Sequence, residues 1–259
     1  MPMSLKIIIP VYKSDFSFEE ILSFKRIYYQ LSNLYKIVVV KPFSLDLSDL
    51  TDKYPEVDLV SFPDEYFRGI AGYNRLMLSP DFYKAFLDVD YILISQLDTY
   101  IFRDDLTGFL EKGYDYWGAP WIERDLYRFL PFLKKIKYSR KKYSKEAIKW
   151  KQNTENIVGN GGLSLRRVRR FYEATLKYAD RIRVYNSNPG KSLFNEDRFW
   201  AHEPEDFIYP PQEEALRFSF DKYPAQCFRE TNAELPFGCH GWNKWKWRKF
   251  WEKHIDVKG

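Results

Sequence analysis

Several features are rare or missing in this chain of 259 residues, and each absence excludes a class of protein. The two cysteines, Cys227 and Cys239, have no metal-ligand spacing, so the sequence excludes a disulfide framework and a zinc-finger fold. No apolar run approaches the roughly 20 residues that span a bilayer. The run at residues 7–11 is too short for a signal-peptide core, so we expect a cytoplasmic protein with reduced thiols.

Two common nucleotide-binding motifs are also missing. No G-x-G-x-x-G follows a predicted strand, and no glycine-rich loop ends in Gly-Lys-Ser or Gly-Lys-Thr. Classical dinucleotide-binding and P-loop proteins are therefore excluded. Aromatic residues, in contrast, make up 19% of the chain against only 12 glycines, which is typical of a packed globular protein.

The net charge of +5 is distributed unevenly. Residues 126–151 contain ten Lys or Arg and one acid, and residues 242–251 alternate Lys or Arg with Trp and Phe. Such segments favour an anionic partner, and aromatic residues favour a membrane interface. The pattern predicts peripheral contact with the inner membrane face, and it fits a solvated surface with a core-packing C-terminal helix equally well. No nucleic-acid partner is expected.

Strand and helix patterns alternate through the first half. Apolar runs predict strands at 5–11, 36–40, 57–62 and from 91 onward, and helical patterns cover 18–31, 70–78 and 80–87. This order predicts an α/β protein with a parallel sheet and right-handed crossovers. The second half is less regular, with a strand at 115–121, a basic insertion or lid at 122–151 and a helix at 166–178. We expect a single domain.

The most informative acid, Asp98, stands where the strand that begins at Tyr91 should end. A buried, ionised Asp is costly unless it is paired or bound to a cation. Ligands of open α/β sheets bind at the carboxyl ends of the strands. Asp98 therefore fits a cation site that holds a diphosphate, and it also fits an Asp that caps a turn through its own side chain.

Three further segments bear on the role of Asp98. His240 lies between glycines, and imidazole is a good ligand for Mn²⁺-type ions beside a carboxylate. Asn195-Glu196-Asp197 forms a polar cluster at a predicted helix start, and residues 72–75 are predicted to open a helix whose amides favour an anion. Each segment alone also fits a loop histidine or a helix cap.

Taken together, these motifs resemble a bacterial glycosyltransferase family long classed as a domain of unknown function (DUF5672). The resemblance runs from about residue 6 to residue 251, with its motifs in the family order. The matching segments are 8–12, 72–74, 93–98, 118–121, 159–165, 195–197 and 235–240. The resemblance implies a type-A glycosyltransferase fold, in which a mixed sheet is flanked by helices. It also implies a nucleotide-sugar donor that is UDP-linked, and a divalent metal, Mn²⁺ or Mg²⁺.

The resemblance also assigns residues to roles. The donor nucleotide would contact Pro10, Val11, Tyr12, Asn74, Arg75, Gln96, Leu97 and Asp98, with Asp98 and His240 as metal ligands. Gln96 replaces the first acid of the usual Asp-x-Asp motif, which weakens the metal prediction. The acceptor or sugar would contact Trp121, Gly161, Gly162 and Asn195, and Asp197 with Glu196 would be catalytic. Residues 1–121 would form the nucleotide-sugar half, and 152–259 the acceptor and catalytic half.

These roles predict transfer of a hexosyl unit to a glycan or lipid-linked saccharide, with inversion and with Asp197 as general base. One alternative is a sugar-nucleotide pyrophosphorylase, but residues 10–14 lack the glycine-rich basic loop which that class favours. Another is a non-catalytic carbohydrate-binding or RNA-binding protein. That reading explains residues 242–251 and leaves Asp98 and Asp197 without a role.

Overall fold

The first four strands form the parallel half of a six-stranded sheet. The computed structural model describes residues 3–133, 136 and 157–257. Strands β1 (Leu5–Pro10), β2 (Lys36–Pro42), β3 (Asp58–Phe62) and β4 (Tyr91–Ser95) pair in parallel in the order β3-β2-β1-β4. All five residues of β4 are buried, as a continuous apolar run predicts for a strand covered on both faces. The predicted α/β class is confirmed.

The other half of the sheet is antiparallel, which confirms the mixed sheet that the resemblance implies. Strand β7 (Leu163–Arg167) is inserted between β4 and β6 (Tyr116–Gly118) and runs antiparallel to both. Since β7 begins where β4 ends, the backbone amide of Gln96 donates to the carbonyl of Gly162 at 2.9 Å. The turn after β4 and the glycine-rich segment before β7 therefore meet at one edge of the sheet.

A second, smaller sheet joins distant parts of the chain to that same edge. Its strands are β5 (Thr99–Ile101), β9 (Gly238–His240) and β8 (Ser219–Phe220), in the order β5-β9-β8. Thr99 pairs with His240 in the antiparallel β5–β9 ladder. This register places His240 beside Asp98, although 141 positions in the chain lie between them.

The helices cover the faces of the large sheet and surround the small one. Helix α1 begins with a capping box in which Ser17 and Glu20 satisfy each other's backbone amides. The predicted helix at 80–87 ends at Lys84, and the one at 166–178 begins at Val168 because Arg166 and Arg167 still belong to β7. Short 3-10 turns cover Asp64–Phe67 and Ser192–Phe194. The helices are α1 (Phe18–Leu31), α2 (Ser48–Lys53), α3 (Gly69–Met77), α4 (Pro80–Lys84), α5 (Leu106–Leu110), α6 (Asp125–Phe129), α7 (Val168–Lys177), α8 (Ala179–Asn186), α9 (Glu196–His202), α10 (Gln212–Phe218), α11 (Pro224–Glu230) and α12 (Trp245–Trp251).

Part of the aromatic C-terminal run belongs to the core. Trp242 and Trp251 are fully buried in a cluster between the small sheet and α12, whereas Trp245 is exposed. Within the described residues, no helix is both long and apolar enough to cross a membrane. Most of the predicted basic insertion at 122–151 lies outside the described residues.

Candidate active site

A cavity of about 770 Å³ opens at the carboxyl ends of β1 and β4. Its size is typical of a pocket for a small ligand. Most of the residues that sequence reasoning assigned to the site line this cavity. They are Pro10, Tyr12, Asn74, Gln96, Leu97, Asp98, Gly161, Gly162, Asn195, Glu196, Asp197 and His240.

Asp98 and His240 lie in contact at one end of the cavity. Asp98 follows β4, as predicted, and its backbone carbonyl accepts a hydrogen bond from the Gly241 amide. The Oδ1 atom of Asp98 is 3.2 Å from Nε2 of His240. Burial opposes ionisation of Asp98, but the charge and hydrogen bond of His240 lower the pKa of this carboxyl below its usual value.

A second carboxylate, Asp221, lies on the other side of the His240 ring. Its Oδ1 atom is 3.2 Å from Nδ1 of His240. Burial lowers the pKa of His240, but Asp98 and Asp221 outweigh burial and raise the pKa to about 9. Sequence reasoning missed Asp221 because no motif surrounds it; it follows β8, which pairs with the strand that carries His240.

Lys244 is a further site residue that sequence reasoning did not single out. It lines the cavity, and its Nζ atom is 3.8 Å from Oδ2 of Asp98. Gly241 lies beside this lysine, since a Cβ at Gly241 would lie 2.5 Å from Nζ of Lys244. Gly241 also has a φ of +66°, a conformation that favours glycine. The sequence signal that could have identified Lys244 is its position four residues after His240.

Gly161 and Gly162, just before β7, leave room for two side chains. A Cβ at Gly161 would lie 1.8 Å from Oε1 of Glu196, and a Cβ at Gly162 would lie 2.3 Å from the His240 ring. Asn160 holds the segment in place, since its Oδ1 accepts a hydrogen bond from the Gly162 amide at 3.0 Å. The pair Gly161-Gly162 thus brings Glu196 and His240 against one backbone segment.

Glu196 is held by a buried arginine. The guanidinium of Arg166, itself fully buried, donates to both carboxylate oxygens of Glu196, at 3.1 and 3.3 Å. It also donates to the hydroxyl of Tyr83 at 2.8 Å and to the hydroxyl of Ser164 at 3.0 Å. Burial raises the pKa of Glu196, and the charge of Arg166 opposes that rise. This carboxylate is engaged in an ion pair, so its position is fixed.

Asp197 and its neighbours begin helix α9, which confirms the predicted helix start. Asn195 is the N-cap residue of this helix. The backbone amide of Glu196, the first residue of the helix, donates to the side-chain oxygen of Asn74. Burial raises the pKa of Asp197, whose Oδ1 accepts from the Arg198 amide at 2.8 Å.

The prediction that residues 72–75 open a helix is wrong. Helix α3 begins at Gly69, so Asn74 faces the cavity from the helix interior and contributes its side chain.

Three residues assigned to the site lie outside the cavity lining. Val11 is fully buried in the core beneath β1. Arg75 turns away and donates to the carbonyl of Glu65 at 3.1 Å. Trp121 is buried, with the guanidinium carbon of Arg198 stacked 3.6 Å over its ring, and it supports the glycine-rich segment at Gly159. The described positions of these three side chains suit packing rather than ligand contact.

The cavity offers few protein ligands to a metal. Across residues 3–133, 136 and 157–257, no group of three or more His, Cys, Asp or Glu side chains is arranged to hold an ion. Asp98 and His240 nevertheless present an oxygen and a nitrogen side by side, with Asp221 orienting the ring. Because the raised pKa leaves a proton on each ring nitrogen, an ion would bind here in place of the Nε2 proton and take its remaining ligands from phosphate oxygens and water.

The fold is that of the type-A glycosyltransferases. The galactosyltransferase LgtC, solved with donor and acceptor sugar analogues, aligns with a TM-score of 0.51 and 14% identity over 95% of this chain and 94% of its own. Mouse xyloside xylosyltransferase 1 aligns with a TM-score of 0.55 and 10% identity over 92% and 97%. Core-mannan synthase A of Aspergillus fumigatus, in a Mn/GDP form, aligns with a TM-score of 0.50 and 12% identity over 76% and 68%.

The sequence itself identifies the family. The family model described as "Protein of unknown function (DUF5672)" matches residues 56–240. This match covers more than half of the chain, and the chain belongs to that family, as the sequence motifs predicted. No curated protein matches the chain significantly.

Proposed function

We propose that this protein transfers a hexosyl unit from a nucleotide-sugar donor, UDP-linked, to a saccharide acceptor. One observation carries the proposal: a single cavity holds a paired Asp98–His240 end and, at the start of α9, a separate carboxylate, Asp197. Sugar transfer needs these two functions apart, because a leaving diphosphate needs positive charge and an attacking hydroxyl needs a base. The shared fold supports this assignment.

The Asp98 end of the cavity suits the diphosphate. Asp98 and His240 would hold a divalent metal, with Asp221 orienting the His240 ring, and Gln96 lies on the same turn as Asp98. A bound Mn²⁺ or Mg²⁺ would neutralise the charge that develops on the departing diphosphate. Lys244 supplies a fixed positive charge at the same place.

The nucleoside would lie toward the end of β1. Pro10 and Tyr12 line the cavity there, and the Tyr12 side chain is 60% exposed, as expected for a ring that stacks on a base. Asn74 holds the start of α9 through its amide oxygen and faces the same cavity. We place Asn74 between the donor and the catalytic helix.

Asp197 would take the proton of the acceptor hydroxyl. Glu196 is engaged by Arg166, so of this pair Asp197 is the carboxylate available for proton transfer. Its raised pKa makes it a stronger base than an ordinary aspartate. Direct attack by an acceptor that Asp197 activates displaces the diphosphate from the opposite face, with inversion at the sugar.

A thermal-shift panel tests the donor assignment. UDP, GDP, CMP and their sugars are added with and without Mn²⁺, since a ligand that binds the native state raises the melting temperature. We expect UDP and UDP-sugars to give the largest shift and to need the metal. Asp98→Ala should lose this metal-dependent shift.

The control is Asp88→Ala, which removes an exposed carboxylate paired with Lys6 outside the cavity. It should keep the full response to UDP and Mn²⁺. A wild-type UDP shift that is unchanged by EDTA would contradict the metal assignment. The absence of a shift with every nucleotide and nucleotide sugar would contradict the donor class itself.

A further inference from the structure

Residues 124–126, at the start of the predicted insertion, and the C-terminal basic run meet in a second cavity, which we call the basic groove. Its volume is about 660 Å³, and it is formed by residues 124–126, α11 and α12. Gln226 of α11 joins these parts, because its side chain accepts from the Asp125 amide and donates to the Glu123 carbonyl. These two hydrogen bonds join walls of the groove that lie about a hundred residues apart in the sequence.

Positive charge dominates the rim of the groove. Among the described residues that line it there are five cationic side chains and one acid, Asp125, which already pairs with Arg229. Three of these cationic residues are lysines of α12 and the turn that follows it, and all three are exposed. The cationic residues are Arg124, Arg229, Lys246, Lys249 and Lys253.

Aromatic and apolar side chains accompany this charge. The rings of Tyr223 and Trp247 pack edge to face at 5.3 Å on the groove floor. Outside the groove, Trp245 is 81% exposed next to Lys246, and Phe129 is 76% exposed. Phe129 lies three residues after the groove residue Leu126 on α6, so both share one helix face.

We propose that this face docks on an anionic membrane surface. Lysine and arginine bind lipid phosphates, while exposed aromatic rings enter the interface between headgroups and acyl chains. A site for a free phosphate ligand would explain the cations but would leave Phe129 and Trp245 exposed to water. Trp245 shares a helix face with the groove residue Lys249 four positions later, as Phe129 does with Leu126, so exposed rings adjoin the charge and favour a lipid surface. The proposal is independent of the transfer chemistry.

Vesicle flotation tests the proposal with the full chain. Vesicles of phosphatidylcholine alone are compared with vesicles of equal parts phosphatidylcholine and phosphatidylglycerol, at low and at high salt. We expect co-flotation with the anionic vesicles only, and weaker co-flotation as salt screens the charges. No co-flotation at low salt, or equal co-flotation with both compositions, would overturn the proposal.

Two variants assign the binding to the groove and to its exposed rings. Each Lys or Arg near an anionic surface contributes roughly a factor of five to binding. The variant Lys246→Glu, Lys249→Glu, Lys253→Glu should therefore bind at least about a hundredfold more weakly. Phe129→Ala with Trp245→Ala should also weaken binding, and both residues are exposed enough for the fold to persist.

The matched control reverses three exposed lysines on other helices, Lys25, Lys53 and Lys84, and changes the net charge equally. This control should float like the wild type, and an equal loss of binding would overturn the assignment to the groove. Inorganic diphosphate is the remaining probe. If it raises the melting temperature through the three groove lysines while vesicles do not bind, the groove is a soluble-ligand site and the proposal is wrong.

Discussion

At the residue scale, three carboxylates that line the cavity and a fourth beside it differ because their neighbours differ. Asp98 and Asp221 lie against opposite nitrogens of His240, and Glu196 is engaged by Arg166. Asp197 accepts from a backbone amide of its own helix and lines the cavity. Composition alone would treat the four acids as equivalent, whereas their contacts differ, and Asp197 is the one that we propose as the base.

The variant Asp197→Asn tests that assignment. We expect it to fold and to bind UDP and metal like the wild type, because in our proposal the diphosphate binds at Asp98 and His240. Sugar transfer should be at least about a hundredfold slower, which is typical of the loss of a general base. Steady-state kinetics with the purified variant measures the change in kcat.

The pH dependence and the product give independent checks on Asp197. Because burial raises its pKa, the wild-type rate should fall as the pH drops, with a midpoint above the usual Asp value of 3.8. Asp197→Asn should lose this acidic limb. Wild-type turnover in the Asn variant, or a product that keeps the donor's anomeric configuration, would contradict the role of base.

At the element scale, the segment before β7 lets two side chains of the site lie directly against its backbone. Gly161 and Gly162 leave room for Glu196 and His240, so one short segment sets the distance between the two ends of the cavity. The resemblance assigned these two glycines to contact with the acceptor or sugar. In the structure, the groups that approach them are side chains of the protein.

Gly162→Ala should disturb the site without unfolding the protein. Its Cβ would meet the His240 ring at 2.3 Å, so the ring or the glycine backbone must shift and the contact of His240 with Asp98 is disturbed. We expect a stability loss of about 1–3 kcal/mol, as for overpacking elsewhere, and loss of the metal-dependent response to UDP. Urea unfolding and thermal shift with UDP and Mn²⁺ measure the two effects.

Gly108→Ala is the matched control for this substitution. No described atom lies within 4 Å of a Cβ at Gly108, which lies in α5. Alanine is favoured over glycine in a helix by up to about 1 kcal/mol, so this variant should be at least as stable as the wild type. If Gly162→Ala binds UDP and metal as well as Gly108→Ala does, the close-approach argument is wrong.

At the scale of the whole molecule, Arg166 joins the sheet to the site. It extends from β7 to Tyr83 on α4 and to Glu196 at the start of α9, and it packs near the rings of Tyr116 and Phe171. The guanidinium donates to Ser164 on its own strand as well as to Tyr83 and Glu196 on two helices. The position of helix α9 therefore depends on one buried ion pair.

Arg166→Met should destabilise the fold by about 3–5 kcal/mol, because it leaves the buried Glu196 carboxylate without a partner. Tyr83→Phe removes a single hydrogen bond and should cost only about 1 kcal/mol. The double variant Arg166→Met, Glu196→Gln should recover part of the loss, since no unpaired charge remains. Urea denaturation compares the three, and equal losses for Arg166→Met and Tyr83→Phe would refute the argument.

The sequence by itself determined the parallel half of the sheet and much of the cavity. Apolar runs locate β1 to β4, and an acid directly after β4 marks the ligand edge, because these signals are local. The family motifs added His240 and Asp197, and the family match and the shared fold confirm the class that those motifs predicted.

Only the tertiary structure decided how those residues work. The antiparallel course of β7, the contact of Asp221 with His240, and the ion pair of Arg166 with Glu196 all depend on long-range pairing. The meeting of residues 124–126 with α12 depends on it too. A periodic pattern reports which side of its own element a residue occupies. It carries no information about which distant element packs against that side, and that packing assigns each charged group its partner.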